Sequence, residues 1–252
     1  MAYLKAAQFY DLFAIGKEQE QAFYRQIAQK VGSPALELGV GTGIFAFLLA
    51  NDGIEVVGID TSPYMLKEAR RKLQQAPPTI ANRLTFLKED MTDFQLNRIF
   101  RLIYIPSQSF QYLDTREKQV NCLHCIHNHL NSQGQFVFDI WVGQIDASGT
   151  WRRLETIPLP KGGAITRSIS TRILESEGII DTTLRFDILD NTGQLQKTYW
   201  DRSHLAILTI EEMQQLLGKA GFHVESLYSS FTQDSWIPNA NQAIFVASRA
   251  ST

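Results

Sequence analysis

Apolar positions along this chain recur with two alternating periods. Phe23, Ile27 and Val31 fall about one helical turn apart, which predicts a helix within the first ~30 residues. Gly32-Ser33-Pro34 breaks that pattern, and a short apolar run at 35–38 leads into a cluster of glycines. Residues 44–50 are apolar nearly all round, as a helix packed against a sheet would be. Residues 54–60 form a β-rich run that ends in an acid. Ser62 and Pro63 then suit an N-cap and first helical position, with Met65, Leu66, Ala69 and Leu73 as the buried stripe. Strands follow at 84–87, leading to Glu89-Asp90, and at 101–105, stopped by Pro106. A helix over about 116–130 leads through Gly134 into a strand at 135–140. Five strands separated by helices imply a mainly parallel sheet with helices on both faces. Such a sheet holds its ligand at the carboxyl ends of its strands.

From 151 to 203 the texture changes. Strand-like alternation is punctuated by the turn sequences Ser176-Glu177-Gly178 and Asp190-Asn191-Thr192-Gly193, which predicts an inserted antiparallel meander of about three strands. Thr209 and Glu212 make a capping-box pattern that opens a helix burying Met213, Leu216 and Leu217. Gly221 closes it, and strands at 222–227 and 242–248 complete the sheet. The expected organisation is therefore a core of 1–150 with 204–252, carrying 151–203 as an insertion over it.

Composition narrows the function classes. The 252 residues carry 24 Lys+Arg against 26 Asp+Glu, a formal charge of −2, which argues against binding driven by neutralising nucleic-acid phosphates. No apolar run approaches the ~20 residues of a membrane-spanning helix, and the start lacks the pattern of a signal peptide. Two cysteines make no disulfide framework, so a reducing, cytoplasmic setting is expected.

The most informative stretch is Glu37-Leu38-Gly39-Val40-Gly41-Thr42-Gly43, where a first strand turns into a helix and glycines let the backbone approach a ligand. A glycine pattern alone fits dinucleotide binding too, and Gly41-Thr42-Gly43-Ile44-Phe45-Ala46 satisfies the permissive form of that fingerprint. Glu37 separates the two ligands. A carboxylate beside the turn repels a pyrophosphate but attracts the α-ammonium of S-adenosylmethionine. Asp60, at the tip of the second strand, is placed for a ribose diol. Asp90 can accept from an exocyclic amine while Met91 offers a soft surface to a flat base, and the pair points to adenine.

In these motifs the chain resembles the class I S-adenosylmethionine-dependent methyltransferases. The residues are Glu-Leu-Gly-Val-Gly-Thr-Gly at 37–43, Val-Val-Gly-Ile-Asp at 56–60 and Leu-Lys-Glu-Asp-Met at 87–91, with Leu-Leu-Gly-Lys-Ala-Gly-Phe at 216–222. The resemblance implies an α/β fold, a doubly wound Rossmann-like sheet of seven strands whose last strand is antiparallel, here with an inserted β meander. It implies that Gly39, Gly41 and Gly43 line the methionine part, Asp60 holds the ribose, and Asp90 and Met91 flank the adenine. Thr61, Met65 and Ser107 complete the expected cofactor set with Tyr10 and Glu37. The narrower likeness is to small-molecule methyltransferases with a β insertion, such as those acting on sugar amines or on glycine and sarcosine. The fourth strand is followed by Ile105-Pro106-Ser107-Gln108 and lacks the Asn/Asp-Pro-Pro-Tyr/Phe motif, which argues against adenine or glutamine N-methylation.

Other candidates each have a plain structural reading beside the chemical one. Cys122, Cys125 and His129 share a helical face, but one continuous helix closes a tetrahedron poorly, so no metal is expected. Tyr10-Asp11 can fold over the cofactor or merely anchor the terminus. The stretch 107–112 suits a wall between cofactor and acceptor, with Gln111, Tyr112 and Trp141 assigned to the substrate. His204 is the candidate general base, against the commoner reading of a packed or surface histidine. The expected partner is a small-molecule acceptor, amine or hydroxyl, with neither nucleic acid nor membrane involved and a homodimer left open. A nicotinamide-dependent oxidoreductase and a non-catalytic binder of the methyl donor are the alternatives.

Overall fold

The computed structural model describes residues 7–13 and 17–250, so the first residues of the stretch read for a signal peptide lie outside the described part. A 3-10 helix at Ala7–Phe13 precedes α1 (Glu18–Val31) and β1 (Ala35–Leu38). Then follow α2 (Ile44–Asn51), β2 (Val56–Ile59), α3 (Pro63–Gln75), the single turn α4 (Pro78–Ala81), β3 (Leu84–Leu87) and β4 (Phe100–Ile105). A 3-10 turn at Ser109–Tyr112 leads to α5 (Arg116–His129) and β5 (Leu130–Trp141). The insertion carries β6 (Arg152–Pro158), β7 (Ala164–Leu174), β8 (Ile179–Leu189) and β9 (Leu195–Ala206). The chain closes with α6 (Ile210–Lys219), β10 (Phe222–Tyr228) and β11 (Gln242–Arg249).

The main sheet has seven strands in the order β10-β11-β5-β4-β1-β2-β3. The pairs β1–β2, β2–β3, β1–β4 and β4–β5 are parallel, and β11 runs antiparallel to both β5 and β10. Alternation along the strands divides the core between two faces. Leu36, Leu38, Ile103, Ile105 and Phe138 pack towards α5 and α6. Ala35, Leu102, Tyr104 and Val137 pack on the other face with Phe23 and Tyr24 of α1 and Phe45 of α2. Each such large side chain, removed fully from water, contributes roughly 1.5–3 kcal/mol.

Local signals behave as their chemistry requires. Ser62 caps α3 by accepting from the Met65 N–H, and Thr209 with Glu212 closes the capping box of α6. The insertion is a second sheet of four strands, β6-β7-β8-β9, all antiparallel, rather than about three. The extra strand is β6: the bulge at 153–155 and the mixed composition of 152–158 hide its alternation in the sequence. Gln111 clamps this sheet to the core. Its amide donates to the Trp141 and Ala206 carbonyls at 3.2 and 3.0 Å and accepts from the Trp141 N–H at 2.7 Å. On the helix α5, His129 Nε2 accepts from the Leu96 N–H, so its Nδ1 carries the proton and donates to the Cys125 carbonyl. Both ring nitrogens are thus spent on the backbone. No helix among the described residues is long and apolar enough to cross a membrane.

Candidate active site

The carboxyl ends of β1, β2 and β3 open onto a cavity of about 770 Å³, bounded on the far side by the inserted sheet and by the 3-10 helix Ala7–Phe13. On the core side its wall includes Gly39, Gly41, Asp60, Thr61, Met65 and Asp90, with Met91 beside them. Gly39 needs to be glycine: φ is +73°, and a Cβ there would sit 3.3 Å from that of Ser109. Gly43 has φ +83° and forms the N-cap of α2, but a Cβ there would meet Phe47 and Phe86. It shapes the turn and does not line the cavity, contrary to its expected place against the ligand.

Asp60 does two jobs from one strand tip. Its Oδ2 accepts from the Gly41 N–H at 2.8 Å and its Oδ1 from the Ser62 N–H at 2.7 Å, so it braces the glycine loop against the start of α3. Burial pushes its pKa up, while those N–H groups favour the charged form. A carboxylate has lone pairs beyond these two bonds to offer a diol. Asp90 is exposed and its Oδ1 accepts from the Thr92 N–H and hydroxyl, which fixes the carboxylate at the cavity rim.

Glu37 is not the half-open carboxylate expected from the sequence. It is 1 % exposed and accepts from the Tyr104 hydroxyl at 2.8 Å. Position 37 lies on a central strand covered on both faces, so its side chain points into the packing with Tyr24 and Phe45. Burial raises its pKa to about 8, against the Tyr104 hydrogen bond that lowers it. It reaches ligand space only through a recess of about 30 Å³, shared with Gly39, Gly41, Ser107 and Tyr10. A cationic group in that recess would draw the carboxyl back to its charged form.

The far side is built differently. Arg167 on β7, and Arg202, Ser203 and His204 on β9, line the cavity from the inserted sheet, facing Tyr112 and Lys118 from the core. Acids hold the bases from behind: Arg202 pairs with Asp181 through Nε and Nη2 at 2.7 and 2.8 Å, and His204 Nε2 lies 3.4 Å from the same Asp181. The Arg202 guanidinium keeps the Asp181 pKa below its usual range. Arg167 pairs with Glu155 and lies over the Phe13 ring, 4.7 Å from its centroid.

The 3-10 helix joins the two sides. Asp11 accepts from the Thr42 hydroxyl in the glycine loop and from Lys72 of α3 at 2.7 Å. Phe13 packs with Ile165 and Phe186 of the inserted sheet, and Tyr10 lines the cavity between them.

Of the expected substrate residues, Tyr112 lines the cavity, but Gln111 and Trp141 do not. Gln111 is 2 % exposed and its amide is committed to the clamp described above, while Trp141 lies at the end of β5 outside the cavity wall. Ser107 and His204 are both in the wall. Sequence reasoning missed Arg167, Arg202 and Lys17. It also missed Asp139, fully buried at the end of β5, whose signal is an acid inside an otherwise apolar Phe-Val-Phe-Asp-Ile strand. Arg167 has a weaker signal, a charge at the inward parity of β7 alongside Ile165.

Residues 35–134 match the family described as Methyltransferase domain. The cypemycin N-terminal methyltransferase of a Streptomyces species is 22% identical over 219 residues, covering 86% of this chain and 84% of that protein. The CcbJ methyltransferase of Streptomyces caelestis superimposes with a TM-score of 0.83 at 19% identity, covering 98% of this chain and 97% of that one. The sugar N-methyltransferase KedS8 of a Streptoalloteichus species superimposes with a TM-score of 0.76 at 20% identity, over 100% and 94% of the two chains. The matched domain spans β1 to the start of β5, which are the strands that carry the glycine loop, Asp60 and Asp90. Residues 35–134 thus carry a methyltransferase domain, and the whole chain has the fold of solved methyltransferases.

Proposed function

We propose that this protein binds S-adenosylmethionine along the glycine-loop side of the cavity and methylates a small-molecule amine or hydroxyl held beneath the inserted sheet. The reading rests on one observation: a single cavity of about 770 Å³ has a nucleoside-type wall of glycines and acids on one side and a wall of basic and hydroxyl side chains on the other. The residues present fit the donor. Asp60 offers acceptor oxygens to a ribose, Met91 an apolar face to a base, and Glu37 a counter-charge to an ammonium group through its recess.

The donor supplies a methyl group on a sulfonium: the carbon–sulfur bond breaks, its electron pair stays on sulfur, and the acceptor's lone pair forms the new bond to carbon. What remains for the protein is alignment and exclusion of water. The loop 107–109 and Tyr112 form the wall at which donor and acceptor meet. We assign His204, whose Nε2 lies 3.4 Å from Asp181, to take the proton that a hydroxyl acceptor loses; an amine that arrives uncharged can release its proton to solvent after transfer. The small-molecule acceptor is supported by the size of the space and by relatives such as KedS8, a sugar N-methyltransferase.

Calorimetric titration with S-adenosylhomocysteine and, separately, with NAD tests the donor side. Saturable binding of the first and none of the second is expected, and the reverse would overturn the reading. Incubation with methyl-labelled donor and a panel of small amines and alcohols then identifies the acceptor by label transfer.

A further inference from the structure

We infer that Asp139 is a positioning residue for the cavity wall between donor and acceptor, acting through the Ser107–Gln108 turn. The inference rests on the reading that this cavity holds the methyl donor, and it begins from the backbone. Ser107 and Gln108 are consecutive non-glycine residues with φ of +59° and +56°, in the left-handed region that side chains disfavour. Such a turn persists only where its surroundings over-determine it, and it recurs at functional sites. Both residues line the cavity.

Asp139 supplies that constraint. Its Oδ2 accepts from the Gln108 backbone N–H at 3.1 Å and from the Gln108 side-chain amide at 2.6 Å. Its Oδ1 accepts from the Tyr24 hydroxyl at 3.1 Å, which ties the turn to α1. A second grip comes from the same helix: the Ser107 hydroxyl donates to Glu20 at 2.8 Å and accepts from Lys17 at 2.6 Å. Burying a carboxylate completely is costly unless each contact is used, and here the contacts converge on one strained turn. Asp139 itself does not line the cavity, so it acts through Gln108. The turn in turn abuts the glycine loop, since Ser109 limits the space at Gly39. A shift of 107–109 therefore displaces the donor wall and the acceptor wall together.

The test is a double-mutant cycle of Asp139→Ala with Gln108→Gly, because glycine adopts the left-handed turn without being forced into it. Two readouts are taken: affinity for S-adenosylhomocysteine by calorimetry, and amide hydrogen exchange over 107–112 in the protein alone. In the natural background Asp139→Ala weakens binding by about tenfold and speeds exchange at the turn by a similar factor, as loss of a buried anchor requires. In the Gln108→Gly background the same change costs under about threefold, because the side-chain amide that Asp139 holds and the strain at position 108 are both gone. Asp139→Asn, which keeps one acceptor oxygen, retains affinity within about threefold and stands in if the alanine variant does not fold. Equal losses in both backgrounds would mean that Asp139 acts through general packing and would overturn the inference, as would unchanged exchange at 107–112. Failure of the natural protein to bind S-adenosylhomocysteine would instead sink the donor reading, while the exchange measurement still decides the role of Asp139 at the turn.

Discussion

The two walls of the cavity achieve order by opposite means. On the donor side, backbone geometry does the work: glycines in the left-handed region turn the chain, and Asp60 spends hydrogen bonds on the Gly41 and Ser62 N–H groups. On the side proposed for the acceptor, long side chains do it: Arg167 and Arg202 each pair with a carboxylate outside the cavity, and His204 Nε2 lies 3.4 Å from the same Asp181 that Arg202 uses. A backbone-built wall tolerates little change and suits a ligand that never varies. A side-chain-built wall can be rewritten by substitution without disturbing the strands beneath it. The difference explains why motifs can point to the donor, whereas they name no acceptor.

This contrast can be broken by measurement. The largest effect is expected from Asp60→Ala, which removes both the loop brace and the proposed diol acceptor. Affinity for S-adenosylhomocysteine should fall by about 100-fold or more, and a loss under about tenfold would show that the donor wall does not depend on this tip. Next, His204→Ala should lower label transfer to a hydroxyl acceptor by about 100-fold while leaving donor affinity within about twofold. If transfer and binding fell together, the two walls would not be separable.

A third change addresses the clamp between the sheets. Gln111→Ala strands the Trp141 N–H and two carbonyls, and should cost about 1–3 kcal/mol, a fall of several degrees in the thermal midpoint. Donor affinity should move little.

The smallest effect is a proton count. With its pKa at about 8, Glu37 is mainly protonated at pH 7 in the ligand-free protein. A donor ammonium in the recess lowers that pKa, so binding releases a fraction of a proton, seen as a buffer-dependent enthalpy that Glu37→Gln abolishes. The same raised value has a stability consequence. The folded state holds this proton more tightly than the unfolded chain, so its contribution is full below the unfolded value of ~4.3 and is lost as pH rises through about 8. Thermal melts of the ligand-free protein should therefore fall less steeply between pH 5 and 8.5 in Glu37→Gln.

The sequence revealed the parts governed by local rules. Strand and helix alternation, the caps at Ser62 and Thr209 and the glycine turn all follow from neighbours along the chain. The antiparallel placement of the last strand came from family resemblance. The errors arose where a long-range partner decides. Gln111 looked like a ligand contact because it is polar and near a strand end, yet Ala206, far along the chain, claims its amide. Glu37 suggested a semi-buried carboxylate, whereas its full burial depends on what covers β1, which no motif records. Asp139 was passed over although a carboxylate in an apolar strand is conspicuous, because its partners Tyr24 and Gln108 come from distant segments. The strand β6 was lost to its bulge.

The short helix Ala7–Phe13 also bears on how the protein should be engineered. It is anchored on the glycine loop by Asp11 and on the inserted sheet by Phe13, so it acts as a hasp whose two ends belong to different modules. Exchanging the inserted sheet for a foreign one would leave Phe13 without Ile165 and Phe186, and the fastening on the glycine loop would slacken with it. A transplanted sheet must bring its own seat for that ring.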